Sequence, residues 1–141
     1  MPFVNEAIDT PERVAEFDAL KLISPITRQP AERWRWAVDR TRGYRLVSLG
    51  GGFGEIPKIF ALVVPGGIVQ IEGRRDATGR PADRSIRVSW QITAVRIPRS
   101  LAAEAAQLMA VVEEALQTYG SNFNTDPVQS VRIAMPAPTF V

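Results

Sequence analysis

The sequence predicts an α+β domain: a mostly antiparallel meander of five or six strands, packed on one face by a long C-terminal helix, with a short N-terminal helix. Three observations carry this reading. Ile86 to Thr93 alternates apolar and polar residues without a break, the period of two of a strand with one buried face. Leu101 to Tyr119 repeats apolar residues at steps of three and four and ends at Gly120, as a helix with one apolar stripe does. Between Trp34 and Glu72, short apolar runs are separated by glycine and proline turns, which reads as strands joined by hairpins. A length of 141 residues suits one domain. It divides into an N-terminal arm and short helix (1–32), the sheet (33–98), the helix (100–120) and a terminal strand and tail (121–141).

In chain order, residues 1–9 read as extended, with Phe3, Val4 and Ile8 available to dock on a neighbour. Thr10 before Pro11 is an N-cap followed by a proline at the first helical position, and Val14, Phe17 and Leu20 give the short helix its stripe. Prolines 25 and 30 mark a surface linker. In the first strand Trp34, Trp36 and Val38 share one face, opposite Arg33, Arg35, Ala37 and Asp39. Asp39–Gly43 makes a hairpin loop into Tyr44–Leu49. Ile59–Val64 is apolar on both faces, which places it inside a covered sheet.

After Ile68–Glu72, the polar stretch Gly73–Arg84 reads as a long connection with a mobile tip. In the strand from Ile86 the parity changes at its end, where Val95 and Ile97 are the apolar residues. Either a bulge near Thr93–Ala94 resets the phase, or that end is buried on both faces. Ser100 is placed to cap the long helix, Gly120 to close it, and Val131 and Ile133 suggest one last strand before Pro136 and Pro138.

Composition limits the chemistry. The chain has no histidine and no cysteine, which excludes imidazole relays, thiolate nucleophiles, disulfides and His or Cys metal sites. The opening residues lack the basic start and apolar run of a secretory signal, and Pro65–Gly67 interrupts the most apolar stretch, so the expected location is cytoplasmic. Charge is unevenly placed: three basic and six acidic residues in 1–32, thirteen and five in 33–99, one and four in 100–141. Since fifteen of the seventeen cations are arginine, bidentate contacts to carboxylate or phosphate are favoured over point-charge contacts.

Candidate sites follow from that asymmetry. The segment with Arg74, Arg75, Arg80 and Arg84 is the leading partner-binding element, because polar loops on rigid hairpins often carry function; a merely solvated tip explains it equally well. A polar sheet face carrying Arg33, Arg35 and Arg87 with Gln91 and Arg45 is the second, with Phe53 as an aromatic contact at the tip of Gly50–Gly54. That glycine cluster is followed by no Lys-Ser/Thr pair and opens no helix, so it fails as a phosphate loop. Glu113 and Glu114 are adjacent on the helix's polar side, where solvation explains both. No catalytic residue, metal site or cofactor is expected.

Asp39-Arg40-Thr41-Arg42-Gly43-Tyr44, the glycine run after Leu49, and Val111–Leu116 together resemble small bacterial α+β proteins, some of immunity-protein type. The resemblance implies a protein-binding role and brings no catalytic residue. The functional expectation is therefore a non-catalytic protein-interaction module with an acidic partner and no membrane. Nucleic-acid or polyanion binding through the arginine-rich region is the alternative. A carboxylate enzyme drawing on Asp39, Glu55, Glu72 and Tyr44 comes third.

Overall fold

The computed structural model describes residues 2–21, 35–50, 55–123 and 126–141. Six strands follow one another as antiparallel neighbours: β1 (Val4–Ala7), β2 (Arg35–Asp39), β3 (Tyr44–Gly50), β4 (Lys58–Val64), β5 (Gly67–Thr78) and β6 (Arg87–Ile97). Helix α1 (Pro11–Lys21) lies between β1 and β2 in the chain, and α2 (Ala105–Tyr119) follows β6. Next come β7 (Asn122–Phe123) and β8 (Asp126–Pro127), which form a small separate hairpin. The last strands, β9 (Ser130–Ala134) and β10 (Thr139–Phe140), both lie parallel to β6, along its first and last residues. Among the described residues the main sheet thus holds eight strands, curled and mixed rather than a five- or six-stranded meander. The parallel pairing follows from the long helical crossover: a strand re-entering beside β6 after α2 has crossed back runs in the same direction as β6. β1 and β10 carry four and two residues, too few for a period to show in sequence.

α1 starts as expected. The Thr10 hydroxyl accepts the Arg13 backbone N–H at 3.2 Å, an N-cap bond. The long helix starts differently. Arg99–Glu104 is a 3₁₀ segment behind Pro98, with no side-chain cap, so Ser100 does not cap and α2 proper begins at Ala105. The tighter winding still delivers Leu101 to the core. Gly120 also plays another part than expected: its φ is −79°, so no left-handed conformation calls for glycine. A side chain there would put its Cβ 3.0 Å from the Trp90 indole nitrogen and 3.1 Å from Val131. Close approach of helix end to sheet is what requires glycine.

α2 packs against β1, β2, β3 and β9 and fills the inside of the curl. Beneath it Phe60 stands edge-on to both Trp90 and Tyr119, with ring centroids 5.4 and 5.1 Å apart. Leu46, Leu62, Ile71, Ile92, Val112 and Leu116 complete this main core, all at most 1% exposed. The other face of the sheet is not left to solvent along its β2–β4 part, contrary to the one-face expectation. Ile8, Phe17, Trp36, Val38, Val47, Leu49 and Ala61 form a second core there, and Phe17 of α1 stands edge-on to Trp36 at 6.2 Å. Both faces of β2 are therefore buried, Trp36 and Val38 on one and Ala37 and Asp39 on the other. Two-sided apolarity of β3 and β4 is the physical cause, since a strand apolar on both faces needs a cover on each.

Gly73–Arg84 is mostly not a loop. β5 continues to Thr78, with Gly73 opposite Ile92 and Thr78 opposite Arg87, so only the tip, residues 79–86, turns. Ladder hydrogen bonds to β6, not burial, hold this extension, which is why an apolar period misses it. Gly79 has φ +91°, and a Cβ there would collide with the Ser85 carbonyl oxygen. A bulge accounts for the change of parity in β6: Glu72 faces Ala94 while Gly73 faces Ile92, leaving Thr93 unpaired, and its hydroxyl donates to the Glu72 carbonyl at 3.3 Å. No helix among the described residues is long and apolar enough to cross a membrane.

Candidate functional site

Folding consumes most of the charge asymmetry at the β1–β3 end of the sheet. Arg40 donates to both oxygens of Glu6, at 2.6 and 3.1 Å, and Arg45 pairs with Glu16 of α1. Arg42 pairs with Asp39 and reaches both oxygens of Glu114 on α2, at 3.1 and 3.2 Å. Its guanidinium also lies over the Tyr44 ring, 4.9 Å from the centroid. The acidic flanks predicted in 1–32 and in the helix thus fold back onto basic strands. Glu114 is half of the carboxylate pair considered above, and its neighbour Glu113 is exposed.

These pairs predict an acid limit to stability. The Arg40 hydrogen bond, with lesser help from the Trp36 indole, holds Glu6 below its ordinary 4.5 against the opposing effect of burial. The Arg42 side chain, aided by the backbone N–H groups of Arg42 and Thr41, holds Asp39 below its ordinary 3.8, again against burial. Both carboxylates bind protons less readily folded than unfolded. Their stabilisation is complete above those ordinary values and drains away as pH falls through the lower folded ones. Urea midpoints are expected to hold between about pH 7 and 5 and drop below about pH 4.5, with a shallower drop in Arg42→Gln. An identical acid slope in that variant counts against the assignment.

The other end of the sheet differs. On the face turned away from α2, β5, β6 and β9 present three registered rows: Thr78, Arg87, Ser130; then Asp76, Ser89, Arg132; then Arg74, Gln91, Ala134. Arg74, Arg87 and Arg132 are all exposed and form no ion pair among the described residues. Arg74 donates to the Glu55 backbone carbonyl at 2.7 Å, and Arg87 makes one long contact, 3.4 Å, to Gln129. Two adjoining depressions of about 520 and 330 Å³ share Ser89 and Arg132 in their walls. Three guanidinium groups and one carboxylate, Asp76, therefore edge a shallow polar groove. Arginine forks there are free to take carboxylate or phosphate oxygens in pairs.

The structure sorts the sequence candidates. Arg87 and Arg74 meet at this groove, and Arg80 and Arg84 sit exposed on the hairpin tip at its end, Arg84 with φ +53°. Arg75 borders the smaller depression too, but its guanidinium is not on the groove's face. One residue from Arg74 along a strand, it faces the other way, with its guanidinium 5.8 Å from the Trp90 ring centroid. Arg45 shares the groove's face but is covered by α1 and paired. Arg33 and Phe53, with the side chain of Arg35, lie outside the described residues. Of the four enzyme candidates, Asp39 and Tyr44 are registered neighbours on β2 and β3, buried towards α2, whereas Glu72 pairs with Arg96 at 2.8 Å on the groove's face and Glu55 is exposed.

Arg132 was missed from sequence. As the one cation after residue 99, it stands in a short strand whose parallel pairing nothing local announces; the alternation Val131–Ile133 was the available signal. No family model, no curated protein and no solved structure matches the chain.

Proposed function

We propose that the chain is a non-catalytic interaction module that captures an acidic protein surface in the groove edged by Arg74, Arg87 and Arg132. One observation carries the reading: among the described residues Arg40, Arg42 and Arg45 at the β1–β3 end are matched by carboxylates of the chain itself, whereas these three are exposed and form no ion pair. Exposed ion pairs add only about 0–1 kcal/mol to a fold, so such arginines cost stability little and are free for a partner. The hairpin tip with Arg80 and Arg84 extends the same basic surface. An immunity-type role, implied by the resemblance, is one instance of this activity. Nucleic-acid binding is less well supported, because Trp90 is turned to the core and Phe60 and Tyr119 are buried with it. No ring among them offers the stacking platform that single strands use.

Titrating the full chain with polyglutamate and with mixed-sequence RNA across a salt series tests the reading. Polyglutamate should bind more tightly than RNA, and Arg87→Glu and Arg132→Glu should each weaken it by about tenfold or more. Arg99→Glu, an exposed charge at the far end of β6, should change it little. Equal losses at all three positions, or preference for RNA with a steep salt slope, would overturn the proposal.

A further inference from the structure

The sheet has two ends, and they differ in what they offer a partner. β1 presents Glu6 on the groove's face, already held by Arg40 and by Arg13 at 3.2 Å. β9 presents Arg132 there, with no ion pair or hydrogen bond among the described residues. Among those residues β9 pairs only with β6, so its other edge carries no strand. Such an edge is a template for one more strand, and few of the usual protections are present. It is five residues long, contains no proline, and the Gln117 side chain donates to a single carbonyl, that of Val131, at 3.2 Å.

The two faces of β9 also differ. On the groove's face lie Ser130, Arg132 and Ala134, with Arg87 of β6 registered beside the small Ser130. On the face towards α2, Val131, Ile133 and Met135 pack against the main core yet stay only partly buried. An added strand would meet cations on one side and unfinished apolar packing on the other. Side chains of a strand alternate between those sides.

We propose that the acidic partner enters as an extended segment alternating acidic and apolar side chains, and adds as a strand to the open edge of β9. This rests on the acidic-partner reading above and makes it specific. Backbone hydrogen bonds to β9 supply the pairing, as in other strand-addition complexes. Carboxylates on the groove's face reach Arg132 directly and Arg87 over Ser130. The apolar residues cover Val131 and Ile133, which sets the register, because a slip of one residue would turn carboxylates to the core.

A labelled peptide of about ten residues alternating glutamate and valine, read by fluorescence anisotropy against the full chain, tests this. It should bind about tenfold or more tightly than a peptide of equal composition with its glutamates in one block. N-methylating alternate backbone amides should abolish binding in one of the two possible sets and spare it in the other, since a strand pairs through one edge at a time. Arg132→Glu should weaken binding by about tenfold while leaving the urea midpoint near wild type.

Equal binding of alternating and block peptides, or of both N-methylated sets, overturns strand addition; if Arg132→Glu still weakens them, the acidic-partner reading stands. Indifference to Arg132→Glu overturns both. Absence of binding by every peptide, with polyglutamate still bound, overturns strand addition alone. Self-association through β9 that the peptide fails to displace also overturns it, with a second copy as the occupant.

Discussion

Replacing Val112 with aspartate is expected to abolish cooperative folding. Val112 is fully buried on α2 among the residues that fill the curl. The substitution loses roughly 2 kcal/mol of apolar burial and leaves a carboxylate with no partner, which costs several kcal/mol more in a protein interior. Together these approach the whole stability of a domain this size, about 5–15 kcal/mol. Circular dichroism during urea titration should show a sloping baseline in place of a transition. Glu113→Ala, one residue along and exposed, should stay within about 0.5 kcal/mol of wild type. If the aspartate variant kept a sharp transition near the wild-type midpoint, α2 would not be the lid of the main core.

That expectation was legible from the helical period alone, and so was the α+β class. Periodicity reports burial, so it found what is buried on one side: the stripe of α2, the alternation of β6 with its change of parity after Thr93, and the hairpins β2–β3 and β4–β5. It failed where pairing is held by other forces. The extension of β5 from Gly73 to Thr78 is polar on nearly every residue because ladder bonds hold it beyond the core. β9 and β10 run parallel to β6 because α2 crosses back first, a fact of connection with no local mark.

The candidate site was half legible for the same reason. Arg74 and Arg87 stood out as charges in a basic region, but which arginines remain free depends on partners distant in sequence. Glu6 lies 34 residues from Arg40, and Glu114 lies 72 from Arg42. Only the folded arrangement cancels those pairs and leaves Arg74, Arg87 and Arg132 without an ion pair among the described residues.

Trp36→Ala is expected to cost about 3–5 kcal/mol, the range for deleting a fully buried aromatic ring. The site lies on the opposite face of the sheet from α2, in a layer that a one-sided fold would not possess. Trp36 is fully buried, touches Phe17 of α1, and donates its indole N–H to Glu6 at 3.1 Å. Its loss would both empty the second core and remove one of the bonds that hold Glu6 ionised. Trp36→Phe separates the two effects: it keeps most of the ring and drops the hydrogen bond, so about 1.5–3 kcal/mol should go, as for a bond to a charged group. The two cores lie on opposite faces of one sheet, so side chains in them share no contact. Trp36→Phe and Val112→Ala should then be additive within about 0.5 kcal/mol when combined, measured by urea denaturation. A cost below about 1 kcal/mol for Trp36→Ala would mean that α1 only rests on the sheet. Strong non-additivity in the double variant would mean that the layers act through the strands between them, so that pressure on one core is felt in the other.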